Sequence, residues 1–155
     1  MLCGFDTNIL LSSALTLFLV LLTYLLYKKL SVFSEGTYRR FILFIYLSVL
    51  LGKVFGFYYI VPYWDKILHF ISGIISARIG AEIFNKFNKP DKNHRVKTLF
   101  VILFTVSVAT IWEIWEFSGD AVFGLNAQNG SLKDTMFDII AGISGGLIRI
   151  FENRL

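Results

Sequence analysis

The sequence holds a single cysteine, Cys3, which excludes an internal disulfide and any metal site built from several thiolates. It has only two prolines, and no stretch is of low complexity or repeats another. The linkers are short, so a second soluble domain has no room, and residues 1–155 read as one domain. Charge is scarce as well. Charged residues make up 17% of the chain, against about 25% in a soluble domain whose surface must meet water. That shortage excludes an ordinary soluble fold. The net charge of +4 does not point to nucleic acid, because the basic residues do not gather on one water-exposed face.

What replaces charge is apolar surface. Hydrophobic residues are 55% of the chain, aromatics 17%, and the mean hydropathy is +0.65. A bilayer core takes about 20 apolar helical residues to cross. Runs of that kind fall at roughly 9–27, 41–61, 66–84, 98–118 and 134–151. The expected fold is therefore all-α, a polytopic transmembrane bundle of about five spanning helices. The first run carries no Lys or Arg ahead of it and no small-residue cleavage site before Lys28-Lys29, so it reads as a retained helix rather than a signal peptide.

Orientation follows from the basic residues. Lys28, Lys29, Arg39 and Arg40 follow the first run, and Lys86, Lys89, Lys92, Arg95 and Lys97 follow the third. With Arg149 and Arg154 that places eleven of fifteen on one side, against Lys66 and Lys133 on the other. The expected topology is a multi-pass protein of the cell membrane, amino terminus outside and carboxyl terminus cytoplasmic. The same basic residues would attract anionic lipid.

The acids are sorted the other way. Asp6, Asp65, Glu113, Glu116, Asp120, Asp134 and Asp138 all belong to the outer half of that topology. At about 100° per residue, Asp65 and His69 lie within about 40° of each other on one helix face, as do Asp134 and Asp138. Glu113, Glu116 and Asp120 fall within an arc of about 60° if the helix persists that far. Acids facing hydrocarbon cost several kcal/mol each, so the three stripes are expected to face one another or a wet cavity. Close like charges must share protons, pair with Lys53 or Lys66, or bind a cation.

A hard, oxygen-rich set with one imidazole suits a divalent cation: Mg²⁺, Mn²⁺ or Ca²⁺, or Zn²⁺ if His69 takes part. The candidate ligands are Asp65, His69, Glu113, Glu116, Asp120, Asp134 and Asp138, with His69 or Glu116 as general base. For three of them a plainer role stays open. Asp65 and Asp134 stand where an acid caps a helix, and Asp120 where a loop meets solvent.

Other features read as architecture. Tyr58, Tyr59, Tyr63, Trp64, Trp112 and Trp115 form an aromatic belt at the outer interface. Gly52 with Gly56, Ala141 with Gly145, and Gly142 with Gly146 are small-residue pairs for close helix packing, within the bundle or between subunits of a homo-oligomer. Arg78 and Glu82 are spaced for an intrahelical ion pair, and Asn129-Gly130-Ser131 is a turn signal.

Asp65-Lys66-Ile67-Leu68-His69-Phe70 resembles the D-K-x-x-H-F opening of VanZ-like membrane proteins. Their second signature is an acid late in a helix, a polar loop, then an Asp opening a Gly-rich last helix. Glu113 and Glu116, the loop through Asn126 and Gln128, and Asp134-Thr135 with Asp138, Gly142, Gly145 and Gly146 are similar to it. Trp112-Glu113-Ile114-Trp115-Glu116-Phe117 with Asp120 and Gly124 resembles the YjdF-like branch. Glu116 stands where VanZ-like proteins typically carry Gln, and the loop lacks their Arg. The resemblance covers roughly residues 60–150 and implies a bacterial or archaeal membrane protein linked to the envelope.

Two functions fit these observations. One is a membrane enzyme or binding protein for a lipid-linked, phosphorylated envelope substrate, using the acidic site with a divalent cation. A metal-dependent hydrolase or transferase would be of this kind. The other is a proton- or cation-coupled transporter, which would need polar groups along its whole path, where the inner half offers Arg78 and Glu82.

Overall fold

A computed structural model describes residues 7–30, 33–87, 93–124, 128 and 131–153. Cys3, Asp6, Lys89, Lys92, Asn126, Asn129, Gly130 and Arg154 lie outside the described residues. Every regular element among the described residues is a helix. They fall into two compact units, Met1–Trp64 and Asp65–Leu155.

In the first unit, α1 spans Thr7–Leu25 and runs on as a π-helical turn over Leu26–Leu30. α2 spans Glu35–Ile45 and widens into a π-helix over Tyr46–Val54, and α3 is the single turn Phe57–Ile60. Ser34 starts α2 because its Oγ accepts the Thr37 N–H, one of the donors that the first helical turn leaves without a partner. Tyr27 stacks on Tyr38 with ring centroids 4.8 Å apart, holding the end of the first helix against the start of the second.

This unit corrects one sequence boundary. The expected span 41–61 is not continuous: the helix stops at Val54, and Gly56 takes the left-handed conformation at φ 73°. Gly52 and Gly56 are thus not a packing pair on one helix face. Gly52 instead makes room for the Tyr58 ring, and Gly56 supplies the bend that carries the chain into α3.

In the second unit, α4 (Trp64–Phe87), α5 (His94–Phe123) and α6 (Leu132–Asn153) run up, down and up. Each is longer than its apolar run, because caps rather than hydropathy set the ends. Asn93 Oδ1 accepts the Val96 N–H at the start of α5, and Gly124, at φ 65°, closes it by donating its N–H to the Asp120 carbonyl. Ser131 receives the Asp134 N–H at the start of α6. The extension of α5 to Phe123 keeps Asp120 on the helix rather than in a solvated loop.

The core of this unit is small-residue packing. Ala77, Ala81, Val101 and Ile150 are fully buried together, and Phe84, Phe100 and Phe104 form a run of stacked and tilted rings beside them. α4 and α6 come within backbone contact. A Cβ on Gly73 would overlap the Gly142 carbonyl, and one on Gly145 would overlap the Phe70 carbonyl. Gly146 lies against Thr105 of α5, and Gly142 against Ala109. The small faces of α6 expected from the sequence are therefore used inside the unit. Arg78 and Glu82 form the expected pair at 3.3 Å.

Two described helices, α4 and α5, are long and apolar enough to cross a bilayer. In α5 only 22% of the apolar stretch is buried, and Leu99, Leu103, Ile111, Ile114 and Trp115 are all exposed. A core helix of a soluble protein would hide that surface; here it suits a lipid solvent. α6 mixes apolar turns with Lys133, Asp134, Asp138 and Arg149.

Gly73→Ala and Gly145→Ala should each force α4 and α6 apart and cost about 1–3 kcal/mol, the usual price of overpacking a tight contact. Thermal unfolding of the detergent-purified variants should show the loss. Unchanged midpoints for both would mean that the close approach is not a stabilising contact.

Candidate acidic site at one end of the second unit

The up-down-up path brings the start of α4, the end of α5 and the start of α6 to one end of the unit. Asp65, Lys66 and His69 lie on the first two turns of α4. Glu113 and Glu116 come from α5, and Asp134 and Asp138 from α6. His69, Glu113 and Asp138 are 6%, 3% and 2% exposed, so the centre of the cluster is closed to solvent.

His69 Nε2 stands 3.7 Å from Asp65 Oδ1 and 3.6 Å from Glu113 Oε1, midway between a carboxylate of its own helix and one of α5. Two overlapping triads result. Asp65, His69 and Asp138 place one donor atom each within 4.8 Å of one another, and so do His69, Glu113 and Glu116. Ligands about 2.0–2.4 Å from a common ion are at most about 4.8 Å apart across it, so each triad fits within one coordination shell.

Five of the seven sequence candidates thus meet around His69. Asp134 and Asp120 are in neither triad. Asp134 is engaged by Lys66, whose ammonium donates to it and, at 3.0 Å, to Asp138 Oδ2, with Asp65 Oδ2 at 3.8 Å. Asp120 accepts the backbone N–H of Gln128 at 3.0 Å. The capping role left open for Asp134 goes to Ser131 instead, which frees the Asp134 carboxylate for the ammonium.

Two buried carboxylate oxygens, Glu113 Oε1 and Asp138 Oδ1, have no hydrogen-bond partner. A buried acceptor left in that state costs about 1–3 kcal/mol, and more if charged. Their neighbours are held in place. Trp112 Nε1 donates to Glu116 Oε1 at 2.9 Å, and the Ser72 hydroxyl donates to the His69 carbonyl at 2.7 Å.

Three participants play roles that the sequence did not single out. Lys66 is one of two partners that the sequence offers the acids, and it is the one that bridges α4 to α6 through Asp134 and Asp138. Trp112 counted as belt, yet it orients Glu116. Gln128 entered only through a family resemblance, yet its amide reaches the Glu113 carbonyl at 3.4 Å and Thr135 Oγ1 at 2.9 Å, so one side chain ties α5 to α6 beside the site. Helical spacing carries no signal for Gln128, because its partners are 15 and 7 residues away. Lys53, the other cation considered, belongs to the first unit.

Gln128→Ala should lose both amide bonds and lower stability by about 1–2 kcal/mol. Gln128→Glu, which replaces a donor by a second acceptor beside Glu113, should cost more. Chemical denaturation of the two variants checks the order. Equal stability of both with the native protein would show that the Gln128 tie carries no weight.

An uncharacterised protein of Thermotoga maritima is 31% identical to this chain over 102 residues, 65% of this chain and 53% of that protein. The chain thus spans about half the length of the curated relative it matches. No solved structure matches it. A family model described as "Predicted membrane protein (DUF2238)" matches residues 4–152, almost the whole of the chain that carries the helices and the acidic site. The chain belongs to that family of membrane proteins.

Proposed function

We propose that this membrane protein binds a divalent cation at the Asp65, His69, Glu113, Glu116 and Asp138 cluster and uses it on a lipid-linked, phosphorylated envelope substrate. The observation that carries the reading is the pair of triads sharing His69, with unpartnered oxygens of Glu113 and Asp138 buried among them. Five carboxyl groups, counting Asp134, face one ammonium, so the cluster needs further positive charge or shared protons. Carboxylate oxygens with one imidazole suit Mg²⁺, Mn²⁺ or Zn²⁺. Such an ion would supply Lewis acidity toward a phosphate. His69 and Glu116 are the groups placed to accept a proton beside it, and Trp112 holds Glu116 in position.

The substrate class rests on the likeness of Asp65 to Phe70 and of Glu113 to Gly146 to VanZ-like and YjdF-like proteins. A proton- or cation-coupled carrier is the competing reading. Against it, the buried ionisable side chains of the described residues are His69, Glu113 and Asp138, all at one end of the unit. A carrier needs polar groups along its path.

Chelator-stripped protein in nanodiscs should bind about one Mn²⁺, read by the paramagnetic signal of the free ion. His69→Ala, Glu113→Gln and Asp138→Asn should each weaken binding by about 10–100-fold. Added polyprenyl phosphate should tighten it, and neutral polyprenol should not. Absence of binding of Mn²⁺, Mg²⁺, Ca²⁺ and Zn²⁺ to the native protein would end the reading.

The topology proposed with it has five spans, the amino terminus outside and the carboxyl terminus in the cytoplasm, with the acidic end facing outward. It is supported by the basic residues, since Lys86, His94, Arg95 and Lys97 all lie at the end of the unit opposite the site. In a Cys3→Ser background, Leu132→Cys should react with an impermeant thiol reagent on intact cells, and Phe87→Cys should not. Both side chains are well exposed, so the reverse pattern would invert the topology.

A further inference from the structure

Lys66 sits where an incoming cation would compete with it. Its Nζ donates to Asp138 Oδ2 at 3.0 Å and to Asp134, and stands 3.8 Å from Asp65 Oδ2. Asp65 and Asp138 are also two of the three members of the Asp65–His69–Asp138 triad. The same two carboxylates thus face the ammonium through their Oδ2 atoms and the triad as well, so the ammonium and an ion in the triad would repel each other at close range. Asp138 is 2% exposed and its other oxygen, Oδ1, is buried without a partner, so the carboxylate is committed on one side and open on the other. The Lys66 side chain is 25% exposed and sits on the rim, with a long flexible stem. It can withdraw, still charged, toward water and Asp134. Asp138 cannot.

Building on the cation reading above, we propose that the Lys66 ammonium is a tethered counter-cation, which holds the acidic cluster closed in the cation-free protein and is displaced from Asp138 when a divalent ion binds. Lys66 then sets the affinity of the site. The native protein binds its ion more weakly than the carboxylates alone would, because the ammonium's charge opposes an incoming ion at the same carboxylates. The exchange needs no proton transfer: a singly charged ammonium leaves Asp138 as a doubly charged ion arrives. Asp134, outside both triads, is the parking place for the displaced ammonium, which explains an acid in the cluster that no triad uses.

The test compares Mn²⁺ binding to native protein, Lys66→Met and Lys66→Arg in nanodiscs, alongside their melting temperatures with and without Mn²⁺. Lys66→Met should bind Mn²⁺ at least tenfold more tightly than the native protein. It should melt lower in chelator and recover in Mn²⁺ as the ion takes the place of the ammonium. Lys66→Arg, which keeps the charge, should bind within a few-fold of native. Added methylammonium should weaken Mn²⁺ binding to Lys66→Met and leave the native protein unchanged. Native-like or weaker binding by Lys66→Met, or a loss of stability that Mn²⁺ does not restore, would overturn the proposal while leaving the cation site itself standing. Should Lys66→Met not be recovered folded, Lys66→Gln is measured in the same way and must also bind more tightly. No Mn²⁺ binding by the native protein or any Lys66 variant would defeat the underlying cation reading, and this inference with it.

Discussion

The second unit depends on how closely α4 and α6 approach. Gly73 is one turn below His69, and Gly142 is one turn below Asp138; at these two residues the backbones touch. That contact sets the distance between the helices where the acids emerge. With larger side chains at the crossing, Lys66 could not reach Asp134 and Asp138 together, and Asp65, His69 and Asp138 would not share a single coordination sphere. In a lipid solvent no hydrophobic force drives helices together, so shape and polar contacts must do so. The glycine contact supplies the first and the Lys66 bridge the second.

Concentrating the polar groups at one end has a further consequence. The rest of the unit can stay apolar, with alanine, valine and phenylalanine filling its core and α5 turning leucine, isoleucine and tryptophan outward. The acidic end is held by crosslinks from Lys66 between α4 and α6 and from Gln128 between α5 and α6, while His69 of α4 faces Glu113 of α5. A site assembled in this way keeps its geometry only while all three helices keep their register, which is why a small side chain one turn away governs it.

The acidic stripes were legible because 3.6-residue periodicity needs only local spacing. Asp65 with His69, Glu113 with Glu116, and Asp134 with Asp138 are helix neighbours in any fold that keeps the helices. Their convergence was legible too, since an up-down-up path leaves the starts of α4 and α6 beside the end of α5. The division of labour was not. The sequence left a plainer role open for Asp134 and Asp120 and none for Asp138, but nothing in the spacing assigns Asp134 to Lys66, the Gln128 backbone to Asp120, or an unpartnered buried oxygen to Asp138. The Lys66 contacts turn on differences of a few ångströms between helices about 70 residues apart, and the Asp120 contact on the path of the chain just after α5.

The amino-acid sequence by itself determined that this is a helical membrane protein, which ends of its helices carry acid and which carry base, and where small residues let helices meet. Composition and period suffice for these, because solvent preference and helical geometry are properties of single segments. Tertiary structure alone decided that the run 41–61 breaks at Gly56, that α5 continues to Phe123, and that the acids Lys66 pairs with are Asp134 and Asp138 of α6. It also decided that His69 stands between Asp65 and Glu113. These depend on caps, on one backbone angle and on the closeness of two helices, each of which is settled by residues far apart in the chain.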